Sequence, residues 1–308
     1  MLNPIILFFV FLLYFLLNVL LMAFYAPLPV SDAGTVRYRT IPWGTFALIV
    51  INSLVFLLWQ APEYYQAETV WELAPYINKV WSYGYRESHL IHPDSIGAFT
   101  TFTAMFMHGD MWHLFGNMLY LWTFGRRVED ACGTARFLVF YLMAGMVANM
   151  FSGILNPSTV DLPGIGASGA ISGIMGAYLI LFPGAQITCL WAPAGTWLRI
   201  PFVWFMKLLH FPGFKNARTW RTESVMSLNP IKNTYIYLNN SLILLPAWTQ
   251  LIFFLVLQIA PSIEDIQGGK NAGGANTLAH LTGFLAALLI FLYVRKDLLT
   301  RYFAGRAL

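Results

Sequence analysis

Long uncharged apolar runs, separated by short polar stretches, set the pattern of this chain. A lipid-crossing helix needs about 20 apolar residues, and a charge at its centre costs about 2.5 to 3.5 kcal/mol. On that criterion, runs at 5 to 26, 41 to 62, 137 to 160, 245 to 260 and 276 to 294 are predicted spans. No charge occurs from Asp161 to Arg199, but Pro163, Gly164 and Gly166 before it and Pro183-Gly184 after it restrict the helix to 168 to 182. A seventh run, MWHLFGNMLYLWTFG between Asp110 and Arg126, is about one turn too short to face lipid throughout, so its start is expected inside the protein.

Composition narrows the class. Charged residues make up 10% of the 308 positions, against roughly 25% in soluble domains, which points to a polytopic all-α membrane protein. Two cysteines, Cys132 and Cys189, are too few for a cluster or a disulfide framework. The formal charge of +4 matters less than its placement. With 27 to 40, 126 to 136, 184 to 244 and 295 to 308 inside, only Lys79, Arg86 and Lys270 of the 18 basic residues fall outside. That skew supports seven spans with Met1 outside and Leu308 inside. The first run also fits a cleaved signal peptide, but Arg37 and Arg39 follow it and no basic residue precedes it, which favours a retained helix. Apolar PFVWFMKLLHFPGF, from Pro201 to Phe214, is expected along the inner surface.

Polar side chains within spans are expensive and mark candidate sites. His108, His113, Asn117, Ser168 and His280 are such residues, whereas His89, His92 and His210 fall in loops or at the surface. Taken alone, Ser168 among Gly166, Gly169, Gly173 and Gly176 reads as helix packing, and His280 as an interhelical hydrogen bond. Together they can form a nucleophile and its general base. His113 and Asn117, at i and i+4, share a helix face and can donate to one point. His108 fits either a cavity wall or a loop histidine bonded to backbone.

At these residues the chain resembles the rhomboid family of intramembrane serine proteases. HGDMWHLFGN matches H-x4-H-x3-N, GASG matches G-x-S-G, and AHLTGF matches A-H-x-x-G. GRRVEDACG, with Gly125, Glu129 and Gly133, is similar to the family's inner-side turn. The resemblance covers about residues 42 to 62 and 97 to 294. It implies a six-helix core plus one extra N-terminal transmembrane helix. The expected organisation is an N-terminal helix and linker over 1–40, a core over 41–295 with an outer loop at 61–107 and a cytoplasmic insertion at 184–244, and a tail over 296–308.

The resemblance further implies Ser168 as nucleophile, His280 as base, His113 and Asn117 as oxyanion donors, His108 at the cavity, and Gly166, Gly169, Gly283 and Glu129 as structural positions. It implies no cofactor, no metal and no nucleic acid. Substrates would be transmembrane helices cut near their outer end after local unwinding, within a multi-pass protein of the bacterial inner membrane type. Some members stack a tyrosine on the base from the fourth position after the nucleophile; here that position is Ser172, so the ring must be held from elsewhere. Ala275 and Ala287, where glycines are common, are expected to hold the last helix slightly farther from its neighbour. A proteolytically inactive relative that binds transmembrane clients is the alternative. A metal site or transporter built on His108 and His113 has too few converging ligands and no paired half-repeats.

Overall fold

The first described span begins without a capping side chain of its own, because its N-cap is Pro42. Its free first-turn N–H groups are satisfied from across the fold: Gly44 N donates to Glu129 Oε1 at 2.8 Å and Thr45 N to Glu129 Oε2 at 2.7 Å. The Thr45 and Thr134 hydroxyls also donate to this carboxylate, at 2.8 and 2.6 Å. A buried anion at a helix N-terminus with four donors is a satisfied one. Glu129 therefore joins the helices that begin at Trp43 and Thr134, and Gly133, at φ 83°, makes the turn from the helix Arg126–Cys132 into the one that begins at Thr134, in the left-handed region that favours glycine.

This computed structural model describes residues 10, 12–14, 16–19, 27–32, 40–88, 97–155, 161–182, 184–191, 205, 208, 242–266 and 277–294. Helix α1 runs over Trp43–Leu54, widens into a π turn at Val55–Gln60 and continues through Ala61–Gln66. Then come α2 (Ala74–Tyr83), α3 (Gly97–Thr103), α4 (Met111–Tyr120) with a π turn at Leu121–Gly125, α5 (Arg126–Cys132), α6 (Thr134–Leu155), α7 (Ser168–Leu181), α8 (Ala247–Ile266) and α9 (Thr277–Val294). Two helical stretches, Trp43–Gln66 and Thr134–Leu155, are long and apolar enough to cross a membrane; Ser168–Leu181, Ala247–Ile263 and Thr277–Tyr293 are shorter apolar helices. Large apolar side chains such as Leu58, Val139, Ile154, Leu289 and Tyr293 are exposed, as a lipid-facing surface requires. The expectations for most of 5–26 and of 201–214, for His89, His92 and His210, for Ala275 and for 296–308 lie outside the described residues.

The chain divides into two compact units, one of Met1–Thr35 with Gly184–Gln250 and the other of Val36–Pro183 with Leu251–Leu308. The first corrects the expectation of an all-α fold. It holds an antiparallel sheet of β1 (Leu28–Asp32), β2 (Gln186–Leu190) and β3 (Leu242–Pro246), in the order β1-β2-β3. Pro29 pairs with Cys189, and Cys189 with Ile243. The physical reason lies in period: along QITCL the buried positions alternate, Ile187 and Cys189 inward, which is a strand pattern inside an apolar stretch measured only for helix length.

In the second unit α7 lies between α6 and α9, and glycines set the spacing. A methyl group at Gly169 would stand 2.8 Å from Ala148 Cβ, and one at Gly173 2.7 Å from Ala144 Cβ. On the α9 side, methyls at Gly176 and Gly283 would collide with the carbonyl oxygens of Phe284 and Gly169. Close backbone approach through small residues is how membrane helices associate when no hydrophobic drive separates protein from lipid. Ala287 is buried and lies near the Gly173 position without preventing that approach.

Candidate active site

The loop entering α7 is positioned by main-chain bonds. Tyr85 and Gly164 exchange N–H···O bonds of 2.9 and 2.8 Å, and Gly166 N donates to Ala104 O at 2.8 Å. Gly166 sits at φ 133°, and a Cβ there would lie 2.9 Å from His113 Nε2 and 3.5 Å from Ser168 Oγ. Only glycine leaves that space open. Ser168 is the first residue of α7, so its N–H belongs to the turn that has no intrahelical acceptor.

His280, on α9, meets Ser168 with Nε2 2.6 Å from Oγ. Its other ring nitrogen, Nδ1, is 2.9 Å from Gln258 Oε1 on α8. An amide oxygen only accepts, so Nδ1 carries the proton and the Nε2 lone pair faces the serine hydroxyl. The Phe254 ring lies 5.9 Å from the imidazole, tilted by 39°. Ser172, at the position of the stacking tyrosine that the family resemblance implies, instead donates its hydroxyl to Ser168 O at 2.7 Å. Thus the ring is held from α8, by two residues the sequence reading passed over. Gln258 had a legible signal, being a strongly polar side chain within a predicted span.

On α4, Asp110 caps the helix by accepting from His113 N at 2.8 Å. Gly109 N donates to His113 Nδ1 at 3.4 Å, which places the ring proton on Nε2, facing the space above Gly166. Asn117, one turn further on the same face, is buried, and its Nδ2 has no acceptor among the described residues. An unpaired buried donor is costly to maintain unless something binds it. His108 is fully buried with its ring edge-on to His113 at 5.1 Å. Gln60 clasps its main chain in both directions, accepting from His108 N at 3.0 Å and donating to His108 O at 3.1 Å. His108 therefore backs His113 and does not stand in open space.

The end of α1 and the segment that follows it are strapped to this end of α4. Tyr76 donates to Gly109 O at 3.0 Å, and Tyr65 Oη accepts from Met111 N at 3.3 Å. Burial, with Tyr64 and Asp110 nearby, pushes the Tyr76 phenol up to about 12, so it stays a donor at neutral pH. Lys79 adds a 2.6 Å bond to Trp59 O and a 2.6 Å ion pair with Glu63. Among the described residues no group of three metal-binding side chains comes together.

Comparison with known proteins gives a consistent picture. Residues 97–213 match the family model for the Rhomboid domain, which includes His113, Asn117 and Ser168. The chain is 31% identical over 160 residues to Rhomboid protein 1, mitochondrial, of Saccharomyces cerevisiae, covering 50% of this chain and 41% of that one. It is 27% identical over 150 residues to the Presenilin-associated rhomboid-like protein, mitochondrial, of Rattus norvegicus, covering 48% and 36%. Over a shorter stretch of 77 residues it is 42% identical to Rhomboid protease GluP of Bacillus subtilis, covering 25% and 14%. The match thus spans well under half the length of these curated relatives.

Proposed function

Because the chain is a rhomboid-family protein, we propose that it is an intramembrane serine endopeptidase working through Ser168 and His280. The observation that carries this reading is the 2.6 Å approach of His280 Nε2 to Ser168 Oγ at the N-terminal end of α7. In the proposed reaction Ser168 Oγ attacks the scissile carbonyl carbon while its proton passes to His280 Nε2. The oxyanion so formed is met by the Ser168 N–H, by His113 Nε2–H and by Asn117 Nδ2–H, donors already oriented before charge appears. The tetrahedral species collapses as His280 gives its proton to the leaving amine, and water then releases the acyl group by the same steps in reverse order.

The substrate class follows from backbone chemistry. A helix in lipid hides its carbonyls in its own hydrogen bonds, so a transmembrane segment that unwinds near the outer face presents a cleavable bond most easily. The proposed frame is multi-pass, with six core helices and one further N-terminal span. GluP is a bacterial relative and the other two carry mitochondrial names; the chemistry is the same in either bilayer.

The test is cleavage of a model transmembrane substrate by purified protein in lipid, with a fluorophosphonate probe as a second readout. Ser168→Ala and His280→Ala should each abolish cleavage, and the double variant should be no worse, because a dyad acts as one unit. Turnover retained by either folded single variant would overturn the assignment. A wild-type protein that binds the helix without cutting it would instead indicate a client-binding relative.

A further inference from the structure

We propose that Gln258 is a positioning residue for the base, the third member of a neutral hydrogen-bond chain that runs Ser168, His280, Gln258 and ends on the main-chain carbonyl of Phe254. This rests on the protease reading above and deepens it.

The chain has a single consistent polarity. Phe254 O can only accept, and Gln258 Nε2 lies 3.3 Å from it. The amide is thereby oriented with Oε1 toward His280 Nδ1, at 2.9 Å. Flipping the amide would set two carbonyl oxygens against each other at Phe254. With Oε1 fixed, His280 must donate from Nδ1, and Nε2 is left as the acceptor for the Ser168 hydroxyl, 2.6 Å away. Each link follows from the one before, and the first is a backbone atom of α8 that cannot change its chemistry.

Position on α8 supports a specific role. Phe253, Val256, Leu257 and Ile259 are exposed and apolar, while Phe254 and Gln258, at i and i+4, turn toward His280. An amide within the apolar stretch 251–261 of α8 costs free energy unless it is bonded, and here both of its ends are. Phe254 supplies the ring face and Gln258 the tautomer. Together they do what the tyrosine at the position of Ser172 would otherwise do in part.

The deciding variants separate packing from hydrogen bonding. Methionine keeps the length of the side chain and suits an apolar bundle, but removes the acceptor. Glutamate keeps an oxygen on His280 Nδ1 whether it is ionised or protonated. Gln258→Met should lower both kcat and the rate at which a fluorophosphonate labels Ser168 by about tenfold, equivalent to about 1.4 kcal/mol, with KM within about twofold. Gln258→Glu should recover most of that loss. A merely structural role predicts the opposite order, with Met tolerated and Glu not. Wild-type labelling by Gln258→Met, or an equal loss in both variants, would overturn the proposal.

One measurement needs no substitution at residue 258. The imidazole 15N resonances of His280, assigned by their disappearance in His280→Ala, should report a protonated Nδ1 and an unprotonated Nε2. The reverse tautomer would overturn the proposal whatever the variants do. If Ser168→Ala and His280→Ala retain cleavage, the protease reading fails on its own, and the tautomer still tests the network.

Discussion

Replacing Gly283 by alanine tests the geometry at its most demanding point. Gly283 lies one turn beyond His280 on α9, and the added methyl would run into the main-chain oxygen of Gly169, with the Gly169 carbonyl carbon at 3.3 Å and Ala148 Cβ at 3.1 Å. None of these is the end of a flexible side chain, so relief comes only from moving α9 away from α7. Restoring ordinary contact requires a displacement of about 1 Å, which stretches the 2.6 Å Ser168–His280 contact beyond hydrogen-bond range. A misplacement of about 1 Å at reacting groups costs about 10²-fold in rate, and overpacking of this kind typically costs about 1 to 3 kcal/mol of stability. Cleavage of a model transmembrane substrate and fluorophosphonate labelling would be measured alongside thermal unfolding in the same detergent. Gly116→Ala is the matched control, since nothing lies within 4 Å of the methyl it would add on α4. That variant should keep full activity. If Gly283→Ala retained more than about a third of wild-type activity, the claim that backbone contact sets the dyad distance would be refuted.

Other perturbations probe different parts. Asn117→Ala should lower kcat by about 10²- to 10³-fold with KM nearly unchanged, since its Nδ2 has no acceptor among the described residues and gains one when charge develops; a pure KM effect would count against an oxyanion role. Glu129→Gln turns one end of a four-donor acceptor into a donor facing donors, so unfolding should become easier by about 1.5 to 3 kcal/mol, seen as a lower melting temperature. Tyr76→Phe should loosen the loop at Gly109, measured as faster hydrogen exchange at residues 108 to 110. Because folding raises the Tyr76 pKa from 10.0 to about 12, the wild-type advantage should be constant through neutral pH, full below the unfolded value and lost as pH rises through the folded one. A loss already under way near neutrality would contradict the assigned donor.

The helices around Ser168 were legible because uncharged length and punctuation are local signals. Pro163, Gly164 and Gly166 on one side and Pro183-Gly184 on the other bracket a helix expected over 168 to 182 and found at Ser168–Leu181. The run expected over 276 to 294 is found at Thr277–Val294. Residues whose meaning depends on a distant partner were not legible. Gln258 reads as one polar residue in an apolar run until His280, 22 positions later, is beside it. Gln60 acquires a role only when His108 arrives 48 residues on, and β1 becomes a strand only on pairing with β2, which lies over 150 residues away in the chain. The tightest backbone approach of α9 to α7 falls at Gly283 and Phe284, away from Ala287.

The π turn in α1 makes the number of residues, and not only their identity, part of this architecture. Buried positions along α1 recur at Gly44, Leu48, Asn52, Phe56 and Gln60, a strict spacing of four. An ordinary α-helix repeats every 3.6 residues, so a four-residue spacing drifts steadily around it, and the wider turn at Val55–Gln60 counteracts that drift where Gln60 must meet His108. Adding one residue between Val55 and Trp59, where the turn is already widened, would rotate everything beyond it by about 100°. Gln60 would swing off the His108 backbone, and Tyr65 off Met111, without a single contacting side chain having been altered. Through this segment the chain tolerates substitution far better than it tolerates an added residue.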